Sequence, residues 1–279
     1  MRDHTDPGLG FFAVDGDSLV PRAFATSPWG GILHGRLVGG LAARETDQAL
    51  ARDEELVCAR LTVDMFRSVP LAPLSVSGRV IRDGRRITVL ETTVAQCGEP
   101  IGRGTAVLLR RSEQPPSVPA QLPAWDAPCP DSSMPPVLAP DDWAPPWDLW
   151  PAWPARPGQR EAGMRAGIWM RDTHPLVDGE PLSPLVRVSI AADMVSPVAN
   201  FGADGLGFIN ADYTIYLARA MRGEIVGIQP RGHLSHDGVS AAQGIAHDAD
   251  GPFALLGATA LANSFARAQA NAQAKRDQP

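Results

Sequence analysis

Two stretches of this chain repeat one another at a nearly constant spacing, and that repetition limits its folds more than any other feature. Gly78 and the pair Asp83-Gly84 recur 154 residues on as Gly232 and Asp237-Gly238. Gly98 recurs as Gly251, and Thr105-Ala106-Val107-Leu108 as Ala258-Thr259-Ala260-Leu261, both at an offset of 153. Upstream, the run Leu61 to Arg67 lines up with Tyr213 to Arg219 at 152. Matched patterns in one order argue for an internal duplication. Each copy has the same grammar: a helical segment, a long extended run, then hairpins. The turns are signalled by Asp83-Gly84 and Cys97-Gly98 in the first copy and by Asp237-Gly238 and Asp250-Gly251 in the second.

In the first copy the alternation predicts strands over Val57 to Phe66, Leu74 to Arg82, Arg86 to Gln96 and Glu99 to Leu109, after a helix from about His34 to about Leu50. That helix carries Leu37, Val38, Leu41 and Ala42 on one stripe, with Gly35, Gly39, Gly40 and Ala43 elsewhere. Each interior glycine costs about 1 kcal/mol against alanine, so these are expected to serve close packing or ligand approach. The second helix begins at Ser183-Pro184, a serine N-cap followed by proline at the first helical position. Pro197 disfavours helix at the residue before it and is expected to end the helix by Ser196.

Between the copies the composition changes. Of 27 prolines, 14 lie between Pro115 and Pro157, and Trp125, Trp143, Trp147, Trp150 and Trp153 fall in the same stretch. So many missing backbone donors rule out a helix or a central strand. The tryptophans need apolar surface, so this reads as a strap lying across the flanking domains; a disordered loop is the alternative. The expected organisation is an N-terminal domain over 1–111, a connector over 112–160 and a C-terminal domain over 161–279.

A net charge of -6 with scattered basic residues makes nucleic acid an unlikely partner. The N-terminus lacks a signal-like apolar run, and no stretch approaches the roughly 18 apolar residues of a membrane span, so a cytoplasmic location is expected. Cys58, Cys97 and Cys129 are an odd number at wide spacings, suiting neither a disulfide framework nor a metal knuckle. His233, His236 and His247 lack the spacing of a zinc site, and no metal or bound cofactor is expected. Arg82, Arg85 and Arg86 flank a hairpin turn; a charged exposed turn or a contact to phosphates fits them. Ser235-His236-Asp237 looks like a compressed triad, but adjacent residues of a strand and turn point in different directions and cannot align nucleophile, base and orienter.

A helix wrapped by an antiparallel sheet, duplicated, with a glycine-rich helix start, resembles the hotdog fold, an α+β class; two in one chain resemble the double-hotdog acyl-CoA thioesterases. The matches are Trp29-Gly30-Gly31-Ile32-Leu33-His34-Gly35 and Val80 to Ile87 in the first copy. In the second they are Ala192-Asp193, Phe208-Ile209-Asn210-Ala211-Asp212 and His236-Asp237-Gly238-Val239. The resemblance implies a metal-free hydrolase of acyl-CoA, in which an aspartate on the second helix acts with a Thr or Ser and a Gln on neighbouring strands to deprotonate the attacking water.

Asp193 sits at the aspartate's place, in the last turn of a helix, where the macrodipole tends to raise a carboxyl pKa, as a general base requires. The threonine position falls on or near Gly232, with His233 beside it and Ser235 three residues on. The glutamine position falls on Ala258 or Thr259, and no glutamine occurs between Gln243 and Gln269. Thr259 or His233 is expected to substitute for one of the missing groups. His34 and Gly35 open the first helix, where free N–H groups and the positive dipole end can meet a thioester carbonyl or a coenzyme A phosphate; capping and close packing are the other reading. Two functions stand: an acyl-CoA thioesterase with Asp193 as base, or a thioesterase-like acyl-CoA-binding protein with weakened hydrolysis. A hydratase would need an Asp and His paired after a helix start, which is absent after Asp193. Unpaired strand edges lead us to expect a homo-oligomer.

Overall fold

The computed structural model describes residues 8–28, 30–117, 119–131, 133–137, 145–152, 167–202 and 205–263. A hairpin of β1 (Phe12–Asp15) and β2 (Ser18–Pro21) precedes α1 (Arg36–Leu50). Four strands follow: β3 (Leu56–Met65), β4 (Ser75–Asp83), β5 (Ile87–Gln96) and β6 (Glu99–Arg110). Then come β7 (Trp147–Pro151), β8 (Ile168–Asp172), α2 (Pro184–Ala192) and α3 (Val195–Asn200). The chain continues through β9 (Phe201–Gly202), β10 (Gly205–Leu206), β11 (Phe208–Asn210) and β12 (Asp212–Leu217). It closes with β13 (Val226–His236), β14 (Val239–Asp248) and β15 (Gly251–Ala262).

One antiparallel sheet runs β4-β5-β6-β3-β12-β15-β14-β13-β8-β7, with β11 also paired to β15. Its centre is a two-fold relation between the copies. β3 and β12 pair with Thr62 opposite Thr214, residues 152 apart, and their hydroxyls lie 3.0 Å from one another. To either side the order mirrors itself, β6-β5-β4 on one flank and β15-β14-β13 on the other. Alternation sets the inner face: Thr88, Leu90, Thr92, Val94 and Gln96 of β5 are buried and their neighbours are half-buried. The hairpin residues Cys97-Gly98 and Asp237-Gly238 have positive φ at both positions, the requirement of a type I′ turn. Asp83-Gly84 differs, because three residues separate β4 from β5 and Gly84 keeps a negative-φ or extended backbone.

The sheet wraps α1 and α2, which pack against each other antiparallel. Ser189 Oγ donates to the Gly39 carbonyl at 2.8 Å, and Ser183 of the α2 N-cap donates to Asp47 near the far end of α1. Gly39 is required by this approach: a Cβ there would fall 1.6 Å from the Tyr213 hydroxyl, which donates to the Ser189 carbonyl. The interior glycines of α1 therefore serve helix packing. The Pro197 expectation needs correction. α2 does end before Ser196, but a new helix, α3, starts at Val195 with Pro197 in its first turn, where no N–H is needed. Ser196 is thus helical.

Within the connector, Trp147–Pro151 pairs with β8 as the edge strand β7, a position that tolerates proline. Trp125 stacks on Trp169 with ring centroids 5.3 Å apart and lies 5.2 Å from the His247 ring, so this part of the chain covers the outer face of the second half-sheet. Trp29, Trp143 and Trp153, together with residues 1–7, 153–166 and 264–279 at the expected domain limits, lie outside the described residues. No described helix is long and apolar enough to cross a membrane.

Candidate active site

Asp193 is the C-cap of α2 and is 6% exposed. Asn210 of β11 donates to it, Nδ2 to Oδ1 at 2.7 Å. Burial raises its pKa above the ordinary carboxyl value; the Asn210 hydrogen bond and the positive charge of Arg36 oppose that rise. Desolvation is thus the leading cause of a shift that helix position alone had suggested.

Arg36 follows from the helix packing. Gly39 meets Ser189 at the crossing, so in an antiparallel pair the residue one turn before Gly39 and the one a turn beyond Ser189 share an end: Arg36 and Asp193. Arg36 is 1% exposed. Its Nη1 donates to Asp172 at 2.6 Å, and its guanidinium lies 4.3 Å from the Trp147 ring centre and 5.3 Å from that of Phe11. Nε and Nη2, the side-on fork that grips planar oxygen pairs, have no hydrogen-bond partner among the described residues. Asp172 in turn lines a cleft of about 650 Å³ beside His174 and Arg187. Sequence reasoning missed Arg36, since an arginine at a helix start reads as a solvent-facing charge.

At the mouth of α1, His34 N–H donates to the Ala25 carbonyl at 2.9 Å and is occupied. Gly35 is the N-cap, without a side-chain cap, and the Leu37 and Val38 N–H groups donate to the His34 and Gly35 carbonyls at 3.0 Å. The His34 ring meets Trp147 edge-on at 5.9 Å, and burial, then the charge of Arg36, holds its pKa well below the ordinary 6.5. His34 is therefore a neutral imidazole at neutral pH.

Register settles which way the candidate strand residues face. Directly opposed residues share a face. One row runs Asn210, Ala260, Ser240, Ser235 across β11, β15, β14 and β13; the next runs Ala258, Ala242, His233. Ala242, Ala258, Ala260 and Ser240 are buried, so these rows face α3. Thr259 must be corrected. It is exposed on the opposite face, with its hydroxyl donating to Asp212 at 2.5 Å and its N–H to the same carboxylate at 2.9 Å. Of the two positions expected for the glutamine, Ala258 faces inward and presents a methyl group.

His233 does face inward. Its Nδ1 is 2.6 Å from Asn200 Oδ1 and its Nε2 3.0 Å from Ser235 Oγ, with Phe208 edge-on at 5.8 Å between ring centres. Asn200, buried at the end of α3, also donates to Ser196 Oγ at 3.1 Å. The structure thus pairs Asp193 with Asn210, sets Arg36 at the same end of the helix pair, and links Asn200, His233 and Ser235 by hydrogen bonds. His236 and Asp237 form only an exposed pair at 3.3 Å. No group of three or more potential metal ligands occurs among the described residues.

Comparison with known proteins bears on both fold and chemistry. Residues 25–109 match the model of the acyl-CoA thioesterase N-terminal domain, and residues 115–258 that of the acyl-CoA thioesterase C-terminal domain. A candidate thioesterase II of Thermobifida fusca YX is similar in structure, with a TM-score of 0.65 at 19% identity, over 94% of this chain and 98% of that one. A hot dog fold protein of unknown function from Alicyclobacillus acidocaldarius gives 0.61 at 19%, over 94% and 98%. The tesB protein of Mycobacterium avium subs paratuberculosis gives 0.60 at 12%, over 90% and 94%. A search of curated protein sequences finds no significant relative.

Proposed function

The chain belongs to the acyl-CoA thioesterase family and is built as two tandem hotdog domains, and on that premise we propose that it hydrolyses an acyl-CoA thioester with Asp193 as general base. The observation that carries this reading is the buried carboxylate of Asp193, held by Asn210 and within reach of the positive charge of Arg36. In the ground state the positive charge of Arg36 and the Asn210 hydrogen bond oppose the rise that burial imposes on the Asp193 carboxyl, a raised pKa being what a general base requires. Asp193 takes a proton from water as the water attacks the thioester carbon. Negative charge leaves the carboxylate and develops on the carbonyl oxygen, and the guanidinium, fixed by Asp172 and Trp147, supplies a positive charge at that end of the helix pair throughout. The start of α1 at Gly35 adds the positive end of the helix dipole there.

A second reading, an acyl-CoA-binding protein with weakened hydrolysis, is supported by the inward methyl of Ala258 and the outward Thr259, neither of which can hold the water, while the Asn210 carboxamide is engaged on Asp193. The test is release of free coenzyme A from short, long and aromatic acyl-CoAs, with Ala258→Gln and Thr259→Gln alongside. Turnover that rises with Ala258→Gln and not with Thr259→Gln assigns slow catalysis to the missing carboxamide. Binding without turnover in every variant favours the binding protein.

A further inference from the structure

Between the end of α3 and β13, the polar groups have the connectivity of a nucleophilic centre, and we propose that Ser235, His233 and Asn200 form a serine-based acyl-transfer site that accepts short acyl esters and thioesters. The hydrogen bonds fix their order. Asn200 Nδ2 donates to Ser196, which turns its Oδ1 toward His233 at 2.6 Å; Ser240 donates to the same oxygen at 3.3 Å. His233 Nδ1 therefore carries the proton, and Nε2 presents its lone pair to Ser235 Oγ at 3.0 Å. Nucleophile, base and orienter stand in one line, the arrangement that activates a hydroxyl irrespective of fold or chain order.

The fold explains why these residues meet. Ser235 and His233 are two apart on β13 and so share the inward face, which the adjacent Ser235, His236 and Asp237 cannot do. Asn200 ends α3, which packs on β13 and β14, so the orienter is buried while the nucleophile is open to solvent. Asn200, as a neutral amide, fixes the ring's tautomer and rotation. Ser240, directly opposite Ser235 in the β13–β14 register, donates its one proton to the Asn200 side-chain carbonyl oxygen and so helps hold the orienter in place. Phe208 walls one side, and Ala242 and Ala260 form the floor. That small-residue floor and the exposed Ser235 suit a short acyl group approaching from solvent.

In the reaction, Ser235 Oγ forms a bond to the acyl carbon as its proton passes to His233 Nε2. The C–S or C–O bond breaks, and the thiolate or alkoxide leaves with that proton. Water then attacks the acyl-serine, giving one proton to His233, which returns it to Ser235 Oγ as the acid departs.

The test uses an alkyl fluorophosphonate on the full chain, read by intact mass and peptide mapping, with the burst of nitrophenolate from p-nitrophenyl butyrate as a second measurement. Neither readout depends on coenzyme A release, so its outcome is separate from that of the Asp193 reading. One adduct on Ser235, lost in Ser235→Ala and slowed about 100-fold or more in His233→Ala, together with a burst of one equivalent, is expected. No adduct, an adduct on another residue, or labelling of His233→Ala at the wild-type rate overturns the proposal.

Discussion

Replacing Arg36 with methionine separates the two roles of its guanidinium. Arg36 and Asp172 have side chains 1% and 2% exposed, so the substitution leaves a buried carboxylate with its ion-pair partner gone. Breaking such a pair costs about 3–5 kcal/mol. At about 2–4 °C per kcal/mol for a domain of this size, the melting temperature should fall by roughly 6–20 °C. Methionine keeps an apolar stem against Trp147 and Phe11, so most of the loss belongs to the orphaned charge. Adding Asp172→Leu removes that charge, and the double variant should recover to within about 1 kcal/mol of wild type, because apolar replacements of buried pairs are often neutral or better. Denaturant unfolding measures all four corners of the cycle, and coenzyme A release is measured on the same samples. A stable double variant with little turnover locates the guanidinium at the reaction. A double variant as unstable as Arg36→Met refutes the charge argument and points to lost packing; one with wild-type turnover refutes the catalytic role.

Other outcomes follow from single contacts. Gly39→Ala forces a methyl group against the Tyr213 hydroxyl and should cost about 1–3 kcal/mol, part of which Tyr213→Phe restores; an unaffected midpoint would contradict the close helix crossing. Burial beneath Trp125 pushes His247 down to about 4, against 6.5 when unfolded. Its contribution is therefore fully present above about 6.5 and is lost as pH falls toward 4, and His247→Gln should flatten the melting temperature over that window. Asp193 shifts the other way: its raised carboxyl pKa favours the neutral form, so ionisation destabilises the fold as pH rises through that pKa. Asp193→Asn should thus melt higher than wild type at pH 7, with the difference vanishing at acid pH below the ordinary 3.8.

Much of this architecture was legible because local rules and the global fold agree. The Ser183-Pro184 start, the Cys97-Gly98 and Asp237-Gly238 turns and the 152-residue offset that pairs Thr62 with Thr214 all carry their structure in residue type and spacing. Pro197 misled because a proline that ends one helix can sit in the first turn of the next. Site residues were harder for a different reason. The facing of Thr259 rests on a strand register that inverts with one residue, and the register shift between Ala246 and His247 intervenes in the β14–β15 pair. Arg36 and Asn200 carry no local signal at all. The first acquires its meaning from a helix 150 residues away, the second from a histidine 33 residues downstream.

The buried Asp193 carboxylate is proposed to activate water against an acyl-CoA thioester. The most direct test of that role is steady-state release of free coenzyme A by wild type and Asp193→Asn, both confirmed folded by their unfolding midpoints. Loss of about 10²–10⁴-fold in kcat with KM little changed is the result expected of a general base. Equal turnover in the two proteins would contradict it.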